Sequence, residues 1–312
     1  MTDPTLPAPS GSPSPTSSLR DELLSLLTSP DTGEPLTGWD GSTLDGVLVG
    51  SQTGVTYPVR DGIACLLPSA LREAKDASAA TEDQGEIAEK RREMAARDAQ
   101  VSDYDRMLGL KIFTSAELPL SLRYLSPDPD HLILEGGCGT GRMTAAFAQA
   151  ARGLVCVDFS EESIRVAKSK LSPELAAKTL FLQADLSQLP LRTEGFDRVG
   201  SFGVYEHIPT EDARARALSE LSRVLKSRSR GGRMALSAYR WGFPQSLMSE
   251  REGHHDGGIY FKRFTMAELL SHLAPHLEIG QSTEALLYYH LIWGRKHSNS
   301  GSSAAQRAEA SA

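Results

Sequence analysis

Cysteine is scarce in this chain: Cys65, Cys138 and Cys156 are the three among 312 residues. A disulfide framework needs more thiols at regular spacing, so the expected compartment is the cytoplasm and the cysteines read as small core residues. Long apolar runs are also missing. None reaches the ~18 residues that a bilayer-spanning helix needs, so no membrane partner is expected. Residues 1–17 are rich in Pro, Ser and Thr and have neither a basic start nor an apolar stretch. They read as a disordered tail rather than a signal peptide. Positive charge is in deficit, with 33 Lys and Arg against 40 Asp and Glu, a net charge of −7. That balance argues against a large nucleic-acid footprint. Arg223, Lys226, Arg228, Arg230 and Arg233 form a local basic run. It suits either a solvated helix end or a small RNA-binding patch.

Among the residues that are present, 132–142 carry the most information: Leu-Ile-Leu-Glu-Gly-Gly-Cys-Gly-Thr-Gly-Arg. An apolar strand ends in Glu135, a turn follows with Gly137, Gly139 and Gly141, and Met143 opens a helix. Glycines there permit positive φ and let a ligand approach the backbone. The spacing is G-x-G-x-G, whereas a dinucleotide fingerprint places a small residue where Arg142 stands. The turn therefore suits a nucleoside cofactor without a pyrophosphate. A second strand, Leu154 to Val157, ends in Asp158. An acid about 20 residues beyond such a turn can accept hydrogen bonds from ribose hydroxyls. A third strand around Leu180–Leu182 precedes Asp185, and a fourth over Phe196–Phe202 precedes Tyr205, Glu206 and His207.

With these segments in this order, the chain from Phe113 to Arg295 resembles the class I S-adenosylmethionine-dependent methyltransferases. The resemblance implies that Glu135, Gly137, Gly139 and Gly141 lie against the methionine part of the cofactor. It likewise implies that Asp158 binds the ribose, and that Asp185 with Leu186 reads the adenine. Tyr205, Glu206 and His207 then fall where the transferred methyl group is exposed. The implied fold is α/β, a Rossmann-like seven-stranded, mostly parallel sheet with a small N-terminal α+β domain. The expected division is a tail over 1–17, a small domain over 18–68, a linker and covering helix over 69–111, the methyltransferase domain over 112–297, and a second tail over 298–312.

The small domain has its own signals. Ser18 with Asp21 suggests a capping box, Leu19, Leu23, Leu26 and Leu27 form a helical stripe, and Asp40-Gly41, Asp45-Gly46 and Asp61-Gly62 suggest hairpins. Ser29–Leu36, Gly54–Ile63 and Leu66–Pro68 resemble the zinc-ribbon-type proteins that activate methyltransferases. Metal-binding members carry two C-x-x-C pairs, but Ser29, Thr32, Gly50 and Thr53 occupy those positions here. No thiolate remains to hold zinc, so no metal is expected. In similar enzymes the segment before the sheet closes over the cofactor. That places Tyr104, on a helix beginning near Ile87, against the methionine carboxylate or the substrate.

Methyl transfer from a sulfonium to oxygen or nitrogen can require a base, and histidine titrates in the right range. His207 is placed for that role by following strand four, with Glu206 as its orienting acid. The alternative is that both residues belong to the turn. Residues 251–258 lie between strand five and the next helix, where His254 and His255, followed by Tyr260, are candidates for substrate contact. No Asn/Asp-Pro-Pro-Tyr/Phe sequence follows strand four, which argues against amino-methylation of adenine or glutamine. The reading is transfer of a methyl group from S-adenosylmethionine to O, N or C of a small or medium metabolite. The alternatives are an rRNA or tRNA base methyltransferase and a non-catalytic cofactor-binding regulator. A nicotinamide oxidoreductase is disfavoured by the glycine spacing.

Overall fold

The computed structural model describes residues 18–72, 85–104, 108–255 and 257–297. The two terminal tails and the side chain of Tyr104 lie outside the described residues. Near the N-terminus, β1 (Leu36–Thr37), β2 (Gly46–Gly50), β3 (Thr56–Arg60) and β4 (Ile63–Cys65) form an antiparallel meander. The alternating strand–helix half supplies β5 (Leu132–Gly136), β6 (Gly153–Asp158), β7 (Thr179–Gln183), β8 (Arg198–Phe202) and β9 (Arg233–Tyr239). A small hairpin, β10 (Glu252–His254) with β11 (Tyr260–Lys262), precedes the closing pair β12 (Leu277–Ala285) and β13 (Tyr289–Lys296).

The parallel strands run in the order β7-β6-β5-β8-β9, and antiparallel β13 and β12 complete that side. β5 lies centrally, so chain direction across the sheet reverses beside it. Ligands of open α/β sheets bind outside the carboxyl ends of the strands at such a switch point. Parallel strands covered by helices on both faces need apolar residues at every position, and β5, β7 and most of β6 are buried throughout.

Seven strands were expected, but among the described residues the sheet has eleven. The difference is the N-terminal meander, which joins the same sheet. β4 pairs in parallel with β7, Ile63 opposite Phe181 and Cys65 opposite Gln183. Ile63-Ala64-Cys65 is wholly buried and uncharged, so it can occupy an interior position where a polar edge strand could not. Leu23, Leu27, Trp39, Tyr57 and Leu66 share one core with Leu180, Leu182 and Leu191. Of the three Asp-Gly pairs, only Asp61-Gly62 makes a tight hairpin turn. Both its residues have positive φ, 51° and 71°, as a two-residue turn between twisted strands requires. Gly46 instead opens β2, and Asp40-Gly41 lies in a loop. The Ser18–Asp21 capping box is present at the helix Leu19–Leu24.

Two long helices, Glu86–Tyr104 and Leu108–Leu125, precede the central strand. The first covers the crevice at the carboxyl ends of β5, β6 and β7. At the other end of the chain, the sheet closes with the antiparallel pair β12 and β13. Leu286 and Leu287 form the turn, with φ of 50° and 54°, that joins β12 to β13.

Candidate functional site

The glycine turn is built by close packing. A β-carbon on Gly137 would sit 2.3 Å from the Val204 side chain, and one on Gly141 would sit 2.9 Å from the Ala167 backbone. Both positions also have positive φ, 78° and 86°, so no other residue fits either without displacing its neighbours. Gly139 donates its amide to Asp158 Oδ2 at 2.7 Å, and Ser160 donates its amide to Oδ1 at 2.9 Å. The carboxylate at the end of β6 is therefore fixed by backbone at both oxygens. Burial raises its pKa, and the two amides oppose that shift.

One crevice is lined by Gly137, Gly139, Asp158, Asp185 and Leu186, together with Lys90 and Arg97 of the covering helix. At the end of β7, Asp185 accepts from the amide of Ser187 at 2.8 Å and from Lys90 Nζ at 2.7 Å. Lys90 also donates to Ser187 Oγ at 2.8 Å, and Ser160 Oγ contacts Asp98 of the same helix. The covering helix is thus pinned to both acids' neighbourhoods. Glu135 lies elsewhere. It is buried beneath the turn, accepts from Thr144 Oγ1 at 2.7 Å, and is pushed up to about 7 chiefly by burial. Its position supports the turn from below and contributes no wall to the crevice.

The segment after β8 divides its residues. Val204 and His207 line the crevice. Tyr205 packs on Phe264 and shares a hydrogen bond of 2.9 Å with His272 Nδ1, which places it in the contact with the helix Met266–Leu273. His207 Nδ1 lies 2.7 Å from the Tyr260 carbonyl oxygen. A carbonyl only accepts, so Nδ1 carries the proton and Nε2 the lone pair. Burial, aided by Arg97, holds His207 well below the usual imidazole range and therefore neutral. The expectation that Glu206 orients this ring is corrected here: the Tyr260 main chain does so. Glu206 is fully buried, among the described residues neither carboxyl oxygen has a hydrogen-bond partner beyond its own amide, and burial pushes its pKa up to about 8.

His254 ends β10 and His255 follows the strand, and the two side chains have different surroundings. His254 is exposed on β10. His255 stacks on Phe261 at 4.4 Å and approaches the rings of His207 and Tyr239. Tyr260 turns its hydroxyl to Glu252 at 2.7 Å, and only its main chain meets the site.

Sequence reasoning missed a buried ion pair. Arg142, the residue that breaks the dinucleotide pattern, contacts Glu117, whose side chain is 0% exposed. Glu117 also accepts from Ser237 Oγ on β9, and Arg142 donates to the Phe202 carbonyl on β8. One charged pair thereby ties the glycine turn to both neighbouring strands. Its signal was present: Glu117 is an acid within the apolar stretch 116–122, and Arg142 directly follows the last glycine. Lys90 gave no such signal, because it lies in a helix crowded with charge.

The central strand order, the glycine turn and the two acids at successive strand ends define the fold of the class I S-adenosylmethionine-dependent methyltransferases. Residues 133–228 match the family model of a methyltransferase domain. Over 145 residues the chain is 31% identical to demethylmenaquinone methyltransferase of Clavibacter sepedonicus, covering 46% of this chain and 56% of that protein. Over 143 residues it is 29% identical to probable tRNA methyltransferase 9B of Mus musculus, covering 46% and 28%. The crystal structure of Burkholderia thailandensis 1,6-didemethyltoxoflavin-N1-methyltransferase, with S-adenosylhomocysteine bound, superposes with a TM-score of 0.51 at 21% identity. That match covers 70% of this chain and 93% of that one. The chain spans about a quarter to just over half of the curated relatives' lengths. Among the described residues, no helix is long and apolar enough to cross a membrane.

Proposed function

We propose that this protein transfers a methyl group from S-adenosylmethionine to O, N or C of a small or medium metabolite. The observation that carries the reading is the shared crevice of the Gly137–Gly139 turn, Asp158 and Asp185. Asp158 ends β6, Asp185 follows β7, and each keeps carboxylate lone pairs beyond those its donors use. That donor set fits a nucleoside: one acid for vicinal hydroxyls, the other for an exocyclic amine. When bound, the cofactor supplies the activated methyl group, and the protein supplies placement and a water-poor setting. Arg97, paired with Glu93, lines the crevice from the covering helix, and neutral His207 presents Nε2 as an acceptor. The three buried cysteines, none of them in a disulfide among the described residues, agree with a cytoplasmic location.

Calorimetric titration of the Asp158→Ala variant with S-adenosylmethionine tests the cofactor assignment. Loss of charged hydrogen bonds to the ribose is expected to cost about 1.5–3 kcal/mol, roughly 10- to 150-fold in affinity. Unchanged affinity rejects Asp158 as the ribose ligand.

The likeness to a tRNA methyltransferase keeps RNA as a second reading. Retention on heparin that falls steeply with salt, and label transferred from the cofactor into the RNA fraction of a cell extract, are the results expected of it. Label recovered in the metabolite fraction supports the first reading.

The N-terminal unit reads as a metal-free relative of the zinc-ribbon-type activators. Glu34 supports this. Thr32 Oγ1 donates to its carboxylate at 3.1 Å and the Thr53 amide at 3.0 Å, and the Thr53 hydroxyl and Gln52 amide contact it as well. A β-carbon on Gly50 would meet the same carboxylate. Three of the four positions where metal-binding members carry cysteine thus converge on one buried acid. The unit then serves as a fixed buttress for the strand that ends in Asp185.

A further inference from the structure

Glu206 is a group beside the crevice whose surroundings are incomplete. Its carboxyl is 0% exposed and, apart from its own amide, neither oxygen meets a donor among the described residues. A buried acceptor left without a donor is costly, and native proteins keep such groups where a ligand completes them. Its neighbours in sequence, Val204 and His207, both line the crevice. The space beside it is polar. The point where a β-carbon on Gly203 would fall is 3.3 Å from Arg142 Nη2, 3.8 Å from the Tyr289 hydroxyl and 3.9 Å from Glu206 Oε1.

The charged and titratable groups facing this carboxyl come from each element around it. They are Arg97 of the covering helix, Glu117 of the helix before β5, Arg142 of the turn and Tyr289 of β13. Arg142 is committed to Glu117, so the pair brings little net charge. Arg97 is likewise paired, with Glu93. Both cations favour the ionised form, but each is shared with another acid and burial outweighs them, so the site takes a carboxylate readily only when a further cation arrives.

We propose that Glu206 is the countercharge for a cationic ligand of this crevice, so that the site separates a positively charged sulfonium donor from its neutral thioether product. The inference rests on the cofactor reading above. In the empty site the group is a neutral carboxylic acid. On arrival of the cation its O–H bond breaks heterolytically, the proton passes to solvent, and the oxygen keeps the electron pair as a carboxylate facing the positive charge. After methyl transfer the product is uncharged, the carboxylate takes a proton back, and the product's hold on the site weakens. Because the free acid titrates at about 8, ionising it at pH 7 opposes binding about ten-fold, and this opposition fades as pH approaches 8.

The test is calorimetry of the whole protein with S-adenosylmethionine and with S-adenosylhomocysteine, between pH 6 and 7, in buffers of different ionisation enthalpy. S-adenosylmethionine is expected to release close to one proton and S-adenosylhomocysteine none. Affinity for the charged compound alone is expected to rise about ten-fold from pH 6 to 7. In Glu206→Gln the release disappears and the preference for the charged compound falls at least about ten-fold. The native-protein measurement stands without the variant. Equal proton release by both compounds overturns the proposal, since the group would then be reading their shared ammonium. Release that persists in Glu206→Gln also overturns it. Both outcomes leave the cofactor reading intact. Binding of neither compound removes the cofactor reading itself, and this inference with it.

Discussion

Replacing Arg142 with methionine is expected to lower the free energy of unfolding by about 3–5 kcal/mol, because it strands Glu117 as an unpaired buried charge. The Glu117 side chain is 0% exposed, and after the substitution its remaining donor is the Ser237 hydroxyl. Both carboxylate oxygens currently serve as anchors, one for the turn and one for β9. The effect therefore reaches beyond stability: the glycine turn loses its tie to the Phe202 carbonyl and its hold on the crevice. Denaturant titration of the native protein and the variant measures the difference. Adding Glu117→Met to Arg142→Met is expected to restore much of the loss, since two apolar side chains of similar length can replace a buried pair. A shift below about 1 kcal/mol for the single variant would show that the pair is solvated and energetically idle.

Deleting residues 1–68 is expected to leave a chain that aggregates or fails to fold. The deletion strips β4 from β7 and exposes the edge of a parallel sheet. It also uncovers a core face on which Leu23, Leu27, Trp39, Tyr57 and Leu66 are buried. At about 1.5–3 kcal/mol for each fully buried apolar side chain, those five contribute on the order of 10 kcal/mol. That is comparable to the entire stability of an ordinary domain. Soluble yield and thermal midpoint of the truncated chain against the full one decide the matter. A truncated chain that stays soluble and melts at the same temperature would falsify the claim that the two parts are one folding unit.

The glycine turn and the acid that shares its crevice were legible because their pattern is local. The strand, the turn and the acid at the next strand's end lie within 27 residues of sequence, from Leu132 to Asp158. What escaped was decided by tertiary placement. The pattern of Ile63-Ala64-Cys65 marks a buried strand but does not specify β7 as its neighbour, so the sheet was expected to stop at seven. Glu206 and His207 are adjacent in sequence, which suggests partnership, yet the imidazole is held by a carbonyl 53 residues away. His254 and His255 read as a pair in sequence, yet their side chains have different surroundings. β12 shows little apolar alternation in sequence, because most of its length is partly or fully exposed and polar.

Glu34 has one more consequence. Loops clasped by a carboxylate carry no thiolate for peroxide to consume at those positions. The N-terminal unit should therefore keep these loops closed through oxidative insult, where a cysteine-ligated counterpart would come apart.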